Sequence, residues 1–364
     1  MKIGGKAWRS IWLEPDGWSA GIIDQTRLPH EFVTLRLASV AGAEHAISSM
    51  QSRGAPLIGA VAAYGLCFAM REDASDISLN AAHARLLAAR PTAVNLRWAL
   101  DTMRAALASL PGAARVQAAY ALAEKICDDD VAICESIGKH GLQLVEQEAR
   151  RHRGRAVNIL THCNAGWLAT VDWGTARAPV YMAHDAGINV HVWVDETRPR
   201  NQGAALTAWE LGQHGVPHTI IADSAGGHVM QRGLVDMCIV GTDRTTASGD
   251  VCNKIGTYPK ALAARDTGVP FYVALPSTSI DWEIEDGIAA IPIEQRAPEE
   301  LTRISGRNAQ GDMQDILIAA PGSRAANFAF DVTPARLVSG LITERGVCAA
   351  SRAGLLSLFP ERAA

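Results

Sequence analysis

Apolar residues follow three successive rhythms along the 364-residue chain. Up to about residue 28, short Trp-containing runs such as Ala7–Leu13 and Gly21–Asp24 are separated by Gly and Pro, which predicts a small meander of strands. From about Val40 to Glu148 the apolar positions recur at helical spacing in an Ala- and Leu-rich background, punctuated at Pro56, Pro91 and Pro111. Glu148–Arg155 is a charged connector, which fits a solvated helix end and loop better than a basic binding patch. Beyond it, short apolar runs appear at Ala156–Leu160, Asn189–Val194, His218–Ala222, Met237–Val240 and Phe271–Leu275. Helical stretches such as Gly203–His214 and Asn253–Arg265 separate some of them. Strands alternating with helices predict right-handed βαβ units and a parallel sheet covered on both faces. The expected fold class is therefore α/β. Residues 1–150 form a small N-terminal domain of β-meander and helices, and residues 151–364 a Rossmann-like parallel-sheet domain.

Composition narrows the partners. With 48% hydrophobic and 20% charged residues, the chain reads as an ordinary globular protein. A net charge of -4 argues against nucleic acid or an anionic membrane as the main partner. The longest apolar run, Ala55–Met70, falls short of the ~20 residues a membrane span needs, so a buried helix is expected. The N-terminal segment lacks the apolar core and cleavage site of a signal peptide. Seven cysteines, an odd number without a Cys-x-x-Cys pair, signal neither a zinc site nor a disulfide framework. A cytoplasmic location with reduced thiols is expected.

Candidate chemistry concentrates where the strand runs end. Cys163 follows one run and Asp243 follows another. In an open parallel sheet, residues just past the carboxyl ends of strands line the ligand crevice. A thiol and a carboxylate delivered there from separate strands point to proton-transfer chemistry on a small molecule. Neither a Gly-x-Gly-x-x-Gly fingerprint nor a Walker A loop follows any strand, so nothing signals a nucleotide. Free cysteines are commonly buried as small hydrophobes, and Cys67 and Cys238 are assigned that way. Cys252 is left open, and His162 and His184 rank no higher than structural histidines.

Several segments point to an anion. Arg53-Gly54-Ala55-Pro56 opens a helix whose free N–H groups, with Arg53 beside them, suit a phosphate. Arg90 stands before Pro91 at a second helix entry and shifts the balance further towards phosphate. Asp195–Ala204 is too polar for a simple connector, and its Gln202 suits sugar hydroxyls; Glu196 and Arg198 read as a structural ion pair. Gly249-Asp250 reads as a turn starting a helix whose first turn carries Asn253 and Lys254. Lysine there opposes the helix dipole, which suggests a compensating anion.

Taken together, Arg53–Gly59, Arg90–Leu96, Leu160–Gly166, Glu196–Pro199, Leu206–Leu211, Gly249–Tyr258, Pro270–Ala274 and Ala329–Pro334 resemble the methylthioribose-1-phosphate isomerase family. The likeness runs in order over nearly the whole chain; Thr242, Cys252, Leu275 and Phe328 depart from the family's usual residues. The resemblance implies conversion of a ring-form aldose 1-phosphate to the open ketose 1-phosphate, with no cofactor or metal, by a cytoplasmic homodimer acting in methionine salvage. It implies Cys163 and Asp243 as the catalytic pair. Arg53, Gly54, Ala55, Arg90, Gln202, Asn253 and Lys254 are implied as substrate contacts. The same scaffold serves ribose-1,5-bisphosphate isomerases and the non-catalytic regulatory subunits of initiation factor 2B. Retention of Cys163 and Asp243 favours an enzyme. No dedicated cationic cluster for a second phosphate stands out, with Arg200 and Arg244 as the residues in question.

Overall fold

The computed structural model describes residues 1–152 and 154–363. Strands Ile11–Leu13, Ala20–Ile23 and Thr34–Leu37 form the antiparallel N-terminal meander. Five helices follow: Val40–Ser48, Ala55–Glu72, Asp76–Ala89, Val94–Ala108 and Gly112–Arg151. The prolines act as boundaries. Pro56 sits in the first turn of the second helix, where its missing N–H costs nothing, and Pro111 caps the last.

The 40-residue helix Gly112–Arg151 joins the two parts of the molecule. Its Ala119, Ala123, Ile126 and Cys127 enter the apolar cluster built from the other helices. Ile137 and Val145, farther along, enter a second cluster beneath the parallel sheet with Val157, Ile159, Val192 and Ile239. The helix runs past the start of the charged connector. Beyond it, Arg155 pairs with Asp236, so the connector is anchored rather than simply solvated.

Seven strands make the main sheet, in the spatial order Gly346–Cys348, Gly340–Thr343, Phe271–Ala274, Met237–Val240, Val157–Thr161, Val190–Asp195 and His218–Ile221. All neighbours are parallel except the terminal hairpin. All five strands expected from the apolar runs are present within one or two residues. Chain order reverses between Val157–Thr161 and its neighbour Met237–Val240. That reversal opens a crevice at the carboxyl ends of these two strands, and those ends lead to Cys163 and Asp243.

A second, mostly antiparallel sheet was not expected. Its order is Ile280–Asp281, Arg244–Thr246, Val251–Lys254 and Phe330–Thr333. This corrects the reading of Asn253 and Lys254 as first-turn helical residues: they are strand residues, and the helix begins at Thr257. The strand forms because Val251–Lys254 pairs with Phe330–Thr333, far away in sequence. Among the described residues, no helix is long and apolar enough to cross a membrane.

Candidate active site

The crevice is lined by Arg53, Gly54, Ala55, Arg90, Cys163, Gln202, Asp243, Asn253 and Lys254, together with His162, Asn164, Arg200 and Arg296. All nine residues singled out from the sequence therefore face one cavity. Arg90 reaches it from the end of the helix Asp76–Ala89, four residues before the next helix begins, so it is not attached to that helix entry as expected.

Gly54 fixes how the helix Ala55–Glu72 enters the crevice. Its φ of 102° lies in the left-handed region, and an added Cβ would stand 2.4 Å from the Ala169 backbone. Only glycine lets this helix start approach the loop after Cys163. Arg53 donates to the side-chain oxygen of Asn164 and, at 2.7 Å, to its carbonyl. Its guanidinium is thus aimed before any ligand arrives.

Cys163 holds a left-handed backbone, φ 61°, rare for a side-chain-bearing residue and a frequent mark of functional strain. Its N–H donates to Thr197 Oγ1 at 2.9 Å, and its carbonyl accepts from Thr207 at 2.7 Å. Beneath it, Asp195 accepts from His162 Nδ1 at 2.7 Å and Lys260 at 2.8 Å. Nε2 of His162 meets the Ile255 carbonyl at 2.8 Å, tying the end of one strand to the Lys254–Ile255 backbone. His162 is the structural histidine the sequence suggested. The cluster of His162, Asp195 and Asp223 has the ligand types of a metal site, but Lys260 already supplies its positive charge.

Burial pushes the Cys163 thiol up, opposed by the positive charges of Arg53 and Lys254. The Asp243 carboxyl is also raised by burial, opposed by Lys254, Arg90 and Arg53. Lys254 is itself lowered by burial; its Nζ donates to Ala329 O at 2.8 Å and lies 4.9 Å from the Phe330 ring. Gln202 Oε1 and Arg90 Nε are buried without a hydrogen-bond partner. Such orphaned groups cost free energy unless a ligand completes them. The site therefore offers cations, a carboxyl and a thiol whose protonated forms burial favours, and unsatisfied polar atoms for a hydroxylated anion.

Residues 51–350 match the model of the initiation factor 2 subunit family. A methylthioribose-1-phosphate isomerase of Rhodospirillum centenum is 64% identical over 363 residues, covering 100% of this chain and 97% of that relative. The chain belongs to the methylthioribose-1-phosphate isomerase family. This membership makes it an isomerase. The Rhodospirillum rubrum member of the family is 64% identical over 368 residues, covering 100% of this chain and 94% of its own. Among solved structures, 5-methylthioribose 1-phosphate isomerase from Pyrococcus horikoshii OT3 aligns with a TM-score of 0.83 at 38% identity, covering 98% of this chain and 97% of that one. The eIF-2B subunit delta from A. fulgidus aligns with a TM-score of 0.79 at 36% identity, covering 97% and 100%.

One other expectation in this family member needs correction. Glu196 and Arg198 do not pair: Arg198 donates to the carbonyls of Pro199 and Leu301, and Glu196 accepts from the Asp223 N–H. Arg244 is spent on Asp281 and the Thr92 carbonyl. Cys252 is buried on its strand, against an apolar side pocket with Ile58, Ile291 and Phe330 that also touches Asp243.

Asn164, Glu210 and Arg296 escaped sequence reasoning because their roles depend on contacts between distant segments. Fully buried Glu210 accepts from Asn164 Nδ2 at 2.9 Å and from the Leu168 N–H at 2.6 Å, so it holds the amide that aims Arg53. Burial, opposed by those hydrogen bonds, pushes its carboxyl up to about 7. A carboxyl raised on folding favours the folded state below its unfolded pKa, and that advantage is lost as pH rises through its folded value. Between pH 5 and 8 wild type should lose roughly 2–3 kcal/mol from this group. Glu210→Gln should flatten the loss. Urea unfolding at both pH values checks this, and equal losses in the two proteins would refute it.

Proposed function

We propose that the chain converts 5-methylthioribose 1-phosphate to 5-methylthioribulose 1-phosphate, the reaction named for its relatives, in methionine salvage. The observation that carries this reading is the convergence of Cys163, Asp243 and the cations Arg53, Arg90 and Lys254 on one crevice. Arg53, Arg90, Lys254 and the helix start at Gly54–Ala55 hold the 1-phosphate, while Gln202 and Asn253 meet sugar hydroxyls. A cytoplasmic homodimer with a division near residue 150 accords with the family resemblance.

The phosphorylated anomeric oxygen leaves no free aldehyde, so the ring must open first. Asp243, whose protonated form burial favours, gives its proton to the ring oxygen. The bond from C1 to that oxygen breaks and positive charge develops at C1. Hydrogen then moves from C2 to C1 with its electron pair while the C2 hydroxyl gives its proton to the Asp243 carboxylate left by the first step, leaving a ketone at C2 and the donor restored. Atoms and electrons balance without an external oxidant. Cys163 borders this transfer. Burial raises its thiol against the pull of Arg53 and Lys254, which disfavours the thiolate that an enolate route would use and favours the hydride shift.

Methylthio and plain methyl tails differ only in apolar volume, worth ~1–3 kcal/mol. Both 5-methylthioribose 1-phosphate and 5-deoxyribose 1-phosphate should turn over, with kcat/KM values within about two to three orders of magnitude. Steady-state kinetics on the two sugars tests the function. Absence of turnover on either rejects it.

A further inference from the structure

Arg90, Arg200 and Arg296 all line the cavity, and two glutamates lace them together. Glu300 accepts from Arg200 at 2.8 Å, from Arg296 at 2.9 Å and from Asn327 Nδ2 at 2.9 Å. Glu294 accepts from Arg296 at 2.8 Å and more distantly, at 3.4 Å, from Arg90. Burial would raise Glu300, but Arg296 and Arg200 hold it down at about 2, so it stays ionised at any working pH. Arg200 and Glu300 also face the outer vestibule that leads to the cavity past Met50, Arg53 and Gln202. A substrate with a second anionic group would meet these arginines already paired.

The charge balance gives this lacing a purpose. Apart from His162, which is paired with Asp195, five cations line the cavity: Arg53, Arg90, Arg200, Lys254 and Arg296. Two carboxylates, Glu294 and Glu300, stand against them through their ion pairs, while Asp243 serves as the proton donor and is left out of the balance. Three positive charges remain to meet one phosphate dianion; without Glu300 there would be four. Without Glu300, Arg200 and Arg296 would form a second cationic cluster, the feature a bisphosphate needs.

We infer that Glu300 is a specificity-determining residue, which neutralises Arg200 and Arg296 so that the cavity takes a sugar with one phosphate and rejects one with a second phosphate. The inference rests on the sugar 1-phosphate reading of the site. Glu294 supports it on the opposite side of Arg296. The arginines are retained because the same pairs pin the segment Glu294–Glu300 against the cavity wall.

The test compares kcat/KM for 5-methylthioribose 1-phosphate with that for ribose 1,5-bisphosphate in the full chain. Wild type should prefer the monophosphate. In Glu300→Gln the preference should fall by about tenfold or more, the worth of one charge-assisted hydrogen bond from a freed arginine to the second phosphate. Glu300→Asp should keep most of the wild-type preference. A purely structural role for Glu300 would lower both substrates together and leave the ratio unmoved; that result overturns the inference, as does a wild-type preference for the bisphosphate. If Glu300→Gln fails to fold by circular dichroism, Glu294→Gln takes its place, with a smaller shift in the same direction expected and an unchanged ratio again refuting. If wild type turns over neither sugar, the isomerase substrate reading fails by itself. The same ratio is then read from calorimetric affinities for the two phosphates.

Discussion

Asp243→Asn should lower turnover by about two to four orders of magnitude while the fold and phosphate affinity survive, as expected for a positioned acid–base group. The substitution keeps the shape of the side chain. It removes a carboxyl whose burial already disfavours ionisation, so the folded state loses little. The Asp243 main chain stays anchored by its N–H bond to the Cys252 carbonyl at 3.0 Å. Asparagine, like the protonated carboxyl, places no negative charge beside Lys254, Arg90 and Arg53, so KM for the sugar phosphate should stay unchanged. A fall in kcat without a rise in KM is therefore the signature. Cys163→Ser should fall in the same range, since it preserves the N–H bond to Thr197. Stopped assays with purified variants measure both effects, and near-wild-type kcat in either removes that residue from the chemistry. In deuterated water, hydrogen retained at C1 of the product supports the hydride shift, and deuterium incorporation there rejects it.

The parallel sheet and the strand-end positions of Cys163 and Asp243 were legible because they are written locally. The central strands are largely buried and read as mostly apolar runs, and these runs end in polar residues at the crevice. Met237–Val240 is the clearest case, fully buried and followed at once by Gly241, Thr242 and Asp243. The second sheet was not legible. Val251–Lys254 is four residues long, contains Asn and Lys, and owes its extended form to Phe330–Thr333. Lys254 still drew attention, though for a mistaken reason: no helix dipole opposes it, and its cost comes from burial. Glu210 and Glu300 were invisible for a third reason. On their helices they look like ordinary solvated carboxylates, and only the contacts with Asn164, Arg200 and Arg296 reveal what they hold.

Lys254→Ala should produce two separable changes, which makes it the most informative of the binding variants. The first is in affinity. Lys254 is almost fully buried on its strand, so removing it deletes a desolvated charge-assisted contact to phosphate, worth roughly 1.5–3 kcal/mol. KM should rise about ten- to a hundredfold from that loss. Arg53→Ala removes a contact of the same kind and should raise KM similarly, because Asn164 holds its guanidinium in place before binding. The second change is in pH dependence. Lys254 is the largest opposing influence on the raised Asp243 carboxyl and acts on the Cys163 thiol as well. Its loss lets both groups rise further, since positive charge favours their ionised forms. If Asp243 works in its protonated form, the alkaline limb of kcat should then move to higher pH in Lys254→Ala. Lys254→Arg restores a cation and should return the limb towards its wild-type place even if affinity stays impaired. Profiles of kcat and KM against pH for the three proteins provide the measurement. A raised KM with an unmoved limb would leave Lys254 a phosphate ligand only and remove its influence on the proton donor. An unchanged KM would take the phosphate away from this lysine altogether.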